Sequence, residues 1–140
     1  MRTAAPADAL WTLLADPALW VTWAPHLRAV ERGPDRHGPV MPGEHLVVHG
    51  PSALRVDATV TRVDPGRRWD WEVRLPGPWT LLGVHAVLAE APGRRVRVSM
   101  RVRGPLAPVA DRTALAAYAP LADLALRRLA TLAERDRARS

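Results

Sequence analysis

Hydrophobic positions fall into three regimes along the 140 residues. In the first 25 residues they recur at helical spacing, with Leu10, Leu13 and Leu14 on one face. The spacing predicts a helix starting at Pro6, because a first-turn proline lacks only an N–H that would have no partner there. Asp16-Pro17 repeats the signal as an N-cap and a first-turn proline, and predicts a second short helix that Pro25 helps to end. From about 27 to 103 the period becomes two. Leu54, Val56, Ala58 and Val60 alternate with Arg55, Asp57, Thr59 and Thr61. Trp69, Trp71, Val73 and Leu75 alternate with Arg68, Asp70, Glu72 and Arg74, and Val96, Val98, Met100 and Val102 alternate with arginines and Ser99. Such alternation predicts antiparallel strands with one buried and one wet face. Asp64-Pro65-Gly66 and Ala91-Pro92-Gly93 supply turns. Two more strands are expected near 43–49 and 79–90; the second is apolar on both faces, which leaves its orientation open.

After Gly104-Pro105, residues from about 106 to 137 are rich in Ala, Leu and Arg and predict a long helix. Tyr118, Leu121, Ala122, Ala125, Leu129 and Leu132 share one face; Asp123 and Arg127 pair at i,i+4 on the other. Pro120 predicts a kink or a split. The order is two short helices, five or six strands and a long helix, in one α+β domain over residues 1–140 with a frayed tail from about 135. A curved antiparallel sheet wrapped on one amphipathic helix is the economical packing. Ala122 and Ala125 on the inner helix face would leave a gap, and a gap bounded by Trp and Leu is an apolar cavity.

Composition narrows the chemistry. The chain has no Cys, Lys, Asn, Gln, Ile or Phe, and all 20 basic side chains are Arg, a bias that points to a GC-rich genome. Without Cys there is no disulfide, thiolate nucleophile or cysteine zinc site. Without Lys there is no Schiff base. No Gly-x-Ser-x-Gly elbow, P-loop or Gly-x-Gly-x-x-Gly motif occurs. The arginines give a formal charge of +6 but are spread among acids with no aromatic interleaving, so they read as a solvated face and not as a nucleic-acid site. No apolar run approaches a membrane span and no signal core is present, which points to a cytoplasmic location and no stable membrane association.

His85, mid-strand in an apolar run, is the first candidate for an acid or base, because imidazole titrates near neutral pH. Tyr118, the only tyrosine, could bind or protonate a ligand carbonyl from the inner helix face. His45 and His49 share a strand face but would stand about 13 Å apart, too far to ligate one zinc ion. A metal site would need a bulge there, or His26 and His85, and none is expected. Trp11 and Trp20 read as packing between the short helices and the sheet. Trp23 falls near a cavity mouth. Trp69, Trp71 and Trp79, with Met100, Ala122 and Ala125, are the expected cavity lining.

The run Ala-Pro-x-x-x-Leu-Trp-x-Leu-Leu-x-Asp-x-x-x-Trp-x-x-Trp-x-Pro at residues 5–25 resembles the opening of the SRPBCC superfamily, especially its polyketide cyclase/dehydrase-like branch. Trp79-Thr-Leu-Leu-Gly-Val-His85 and Gly104-Pro-Leu-Ala-Pro are similar to that branch too. The resemblance implies a helix-grip fold, a seven-stranded antiparallel sheet gripping a C-terminal helix around a hydrophobic cavity. It also implies binding of a hydrophobic small molecule, with cofactor-independent cyclase- or dehydratase-like chemistry as the enzymatic version and a non-catalytic carrier or sensor as the alternative. The family's first strand precedes the Ala-Pro motif by several more residues than Met1 to Ala4 provide. Either the first strand is a stub, with weak order there or pairing with a second copy, or the start codon is set too far downstream.

Overall fold

The structure is a computed structural model that describes residues 1–139, and only the backbone of residues 107–111, 113–115 and 117. The chain runs β1 (Arg2–Thr3), α1 (Ala7–Ala15), a 3-10 turn (Pro17–Leu19), α2 (Trp20–Trp23), β2 (Ala29–Glu31), β3 (His45–His49), β4 (Arg55–Asp64), β5 (Arg68–Arg74), β6 (Thr80–Glu90), β7 (Gly93–Arg103) and α3 (Ala107–Arg139). The strands form one antiparallel sheet in the order β1-β7-β6-β5-β4-β3-β2. The expected helix-grip architecture is thus present. The edge strands β1 and β2, two and three residues long, lie below the length at which alternation is readable in a sequence. Pro120 does not split α3, which is one helix containing it. Ser140, the end of the expected tail, lies outside the described residues.

The stub β1 is tied down within the chain. Arg2 and Thr3 pair with Arg95 and Arg94, and Met1 exchanges hydrogen bonds with Val96 through both its amino group and its carbonyl. Thr3 also donates to Glu134 on α3 at 2.7 Å.

Helix α1 shows how the N-terminal motif works. A nine-residue helix leaves its last four carbonyls without intrahelical partners. Here each finds one. Thr12 accepts from the Asp16 N–H, Leu13 from Trp23 Nε1, Leu14 from both Trp20 Nε1 and Trp69 Nε1, and Ala15 from the Val40 N–H. Three indoles therefore terminate a helix while their rings remain available for apolar contact, and each such bond contributes on the order of 1 kcal/mol net. Asp16 then caps the following turn by accepting from the Ala18 N–H.

The space between sheet and α3 divides in two. Toward the end carrying β1, Leu10, Leu14, Val60, Val87, Val96, Leu129 and Ala133 belong to a filled core. Toward the other end the helix presents Ala122 and Ala125 to the sheet and the core is hollow. Below the filled half, the long loop between β2 and β3 is clamped by charge. Glu44 accepts from Arg32 at 2.7 Å and from Arg36 at 2.8 Å, with the Arg32 and Glu44 side chains only 9% and 5% exposed. An open groove runs over this clamp.

Candidate functional site

A cavity of about 480 Å3 occupies the hollow half, within the range of small-molecule sites. Strands β3 to β7 form its floor and α3 its roof. Trp20, Trp23, His26 and Leu27 close one side, and Leu54 and Pro51 reach over from the β3–β4 turn. The lining is overwhelmingly apolar. Of the residues expected from the sequence, His85, Tyr118, Trp23, Trp69, Trp71, Met100, Ala122 and Ala125 all line it.

Trp79 is the exception. It donates from Nε1 to the Pro105 carbonyl at 2.7 Å and lies against Gly77 and Gly104, outside the lining. Alternation aims side chains only within the pleat. Trp79 precedes β6, and the turn around Gly77 sets its direction.

The centre of the site is a column of parallel rings. Trp20 stacks on Trp69 at 5.2 Å, and Trp69 stacks on His85 at 4.3 Å with planes 4° apart. Trp71 completes the group by donating its indole N–H to His85 Nδ1 at 3.1 Å. An indole N–H only donates, so Nδ1 must be the unprotonated acceptor and the imidazole proton sits on Nε2. Burial pushes the His85 pKa down to about 3, only partly opposed by the Asp70 charge. At neutral pH His85 is therefore an uncharged donor whose Nε2–H has no protein partner among the described residues. The sequence suggests a group titrating near neutrality; burial among the surrounding rings shifts His85 below that range.

The pairing depends on Gly83. It faces Trp71 across the β5–β6 ladder, and a Cβ there would fall inside the indole ring. Gly83→Ala is expected to swing Trp71 aside, break its bond to His85 and destabilise the fold by about 1–3 kcal/mol. The readout is the Trp71 indole N–H resonance together with a melting curve; an unmoved resonance would contradict this role. A glycine in mid-strand is the sequence sign of such close approach.

A second polar station lies on the α3 side. The Tyr118 hydroxyl stands 3.4 Å from His26 Nε2, with the rings edge to face at 5.5 Å. Burial lowers the His26 pKa and raises that of Tyr118, so both are neutral near pH 7. His26 Nδ1 is buried without a partner. The sequence marks His26 only as a possible metal ligand; its pairing with Tyr118 joins residues 92 positions apart.

His45 and His49 sit elsewhere, facing Asp57 at 3.4 Å and Glu31 at 3.2 Å. Among the described residues no group of three His, Cys, Asp or Glu side chains is placed to hold a metal. No described helix is long and apolar enough to cross a membrane.

Residues 1–134 match the model of a family described as polyketide cyclase / dehydrase and lipid transport. No curated protein matches the chain in sequence. Similar solved structures include a protein from Mesorhizobium loti, 16% identical with a TM-score of 0.74 over 96% of this chain and 93% of that one. A hypothetical protein from Helicobacter pylori is 12% identical with a TM-score of 0.76, over 94% and 82%. Ara h 8.0201 is 14% identical with a TM-score of 0.59, over 92% and 93%. At these identities the likeness is one of fold.

Proposed function

This chain belongs to the polyketide cyclase / dehydrase and lipid transport family, and we propose that it encloses one uncharged, largely apolar molecule that carries a hydrogen-bond acceptor. One observation carries this reading: the cavity is lined by apolar side chains, and burial holds His26, His85 and Tyr118 in their neutral forms near pH 7. A charged ligand would lose its hydration there with no opposite charge to meet it, a cost of several kcal/mol. A neutral carbonyl or phenol would accept from His85 Nε2 while its rings or chain fill the space beside the tryptophans.

The enzymatic version is cyclisation or dehydration of a polyketide-type chain. Holding a flexible substrate in a reactive shape supplies several kcal/mol by itself. His85 would polarise a carbonyl as a donor, and Tyr118 with His26 would move the proton. The carrier reading uses the same contacts without turnover. Both make one prediction. A neutral polycyclic phenol should bind with a micromolar or lower Kd in a calorimetric titration, and its carboxylate analogue far more weakly. His85→Leu should weaken a carbonyl ligand about fivefold to tenfold while leaving a pure hydrocarbon unaffected. Equal binding of the charged and neutral analogues would sink the reading. New product masses after incubation with a polyketide-type chain would separate the enzyme from the carrier.

A further inference from the structure

The two ends of the sheet differ in how far their arginines are ion-paired. At the end of the sheet that carries the cavity the strand termini include Arg55, Arg74, Arg103 and His49, with Arg28 just before β2. At the opposite end Glu44 and Glu90 stand among arginines and pair with them, Glu44 with Arg32 and Arg36 and Glu90 with Arg2 and Arg95, while Arg68 pairs with Asp70. Arg28, Arg55, Arg74 and Arg103 are all exposed, and only Arg55 shares its charge with a carboxylate in the described ion pairs, Asp57 at 3.5 Å.

Between these arginines the chain turns through four uncharged segments: 24–28 up to its closing Arg28, then 50–54, 75–79 and 104–106. None contains an acidic residue, and all carry proline beside apolar side chains. Leu54 is 55% exposed and Leu106 is 77% exposed, the highest among the exposed large hydrophobics. The backbone there is unusual as well. Ser52, Ala53 and Leu106 are the non-glycine residues with positive φ among the described residues, at 53°, 62° and 56°, and all three lie in these loops. A leucine held in the left-handed region and left in water gains nothing from burial, so its presence there asks for a surface that buries it.

We propose that this end of the molecule docks reversibly on an anionic lipid surface, with Leu54 and Leu106 entering the acyl boundary and the arginines meeting the headgroups. Apolar tips inside a basic ring are the chemistry of interfacial binding. A second copy of the chain fits poorly, because it would bring arginine against arginine. Leu54 also lines the cavity, so docking would open the ligand's route directly to the bilayer. That purpose rests on the cavity reading above, whereas the docking itself does not.

The chain contains no cysteine, so Leu106→Cys gives a single site for an environment-sensitive fluorophore, and Asp35→Cys, in the exposed loop at the opposite end, gives its control. With phosphatidylcholine vesicles containing phosphatidylglycerol, the Leu106 probe should shift to the blue at low salt and lose the shift at high salt. The Asp35 probe should not respond, and pure phosphatidylcholine should bind much less. Leu106→Asp should lower vesicle affinity at least about tenfold with an unchanged melting curve, since aspartate tolerates the left-handed backbone. The proposal is overturned by no shift at low salt, by an equal shift at Asp35, by full vesicle binding of Leu106→Asp, or by a shift that appears without vesicles on self-association. Leu106 does not line the cavity, so Leu106→Asp should still take up an apolar dye in solution. Failed docking with intact dye uptake leaves the cavity reading standing, and docking without dye uptake rejects the cavity reading alone.

Discussion

Acidification from pH 6.5 to about 3 is expected to cost the native state on the order of 4 kcal/mol through His85 alone. In the unfolded chain this imidazole takes a proton near pH 6.5; in the fold, burial delays protonation to about pH 3. Between those values the unfolded state binds one more proton, and each pH unit of the gap is worth about 1.4 kcal/mol. Stability is therefore highest above pH 6.5, declines as pH falls through the window, and stops changing on this account below about 3. His26, whose pKa burial also lowers, adds in the same direction. Other groups titrate in the same range, so the test is a difference. Urea unfolding of the wild type and of His85→Gln across the window should show a shallower profile for the variant, since glutamine can still accept from Trp71 but carries no titrating proton. Parallel profiles would mean that His85 is solvated and charged in the fold, and would undo the assignment of Nε2–H as the donor.

Glu44→Ala is expected to destabilise the protein by about 3–5 kcal/mol, the range for removing one partner of a buried ion pair. Arg32, 9% exposed in the intact pair, would be left with Gly38's carbonyl at 2.8 Å and Asp16 at 3.8 Å. Arg36 would lose its partner as well. The damage should extend beyond the loop, because the Val40 N–H that satisfies Ala15 belongs to the segment this clamp holds. A fall in Tm of roughly 10 °C or more is the expected result, and Arg32→Ala should show a similar one. A change of less than about 1 kcal/mol in either variant would show that solvent reaches the pair and that the loop is held by other contacts.

Much of the site was readable from residue order. Alternation places Trp69, Trp71, Val98 and Met100 on one sheet face because side-chain direction in a pleat is a local property. Ala122 and Ala125 marked the hollow because small residues on a buried helix face leave volume unfilled. The Ala-Pro and Asp-Pro starts located α1 and the turn before α2 because capping is also local. The apolar run over residues 79–90 could not reveal its orientation; register does so, by setting Gly83 under Trp71 and His85 against Trp69.

Sequence by itself determined the inward faces of the main strands and the small-residue stretch of α3, which follow from spacing within one element, and the fold class, which follows from the order of those elements and the N-terminal motif. Tertiary structure decided what the polar groups there can do. Trp71 and His85 lie 14 positions apart, and Tyr118 and His26 lie 92 apart. Their hydrogen bonds, tautomer and protonation depend on which rings exclude water around them. That is a property of packing between distant segments: it gives His85 Nδ1 the Trp71 N–H as its partner and lowers the pKa of the imidazole by burial.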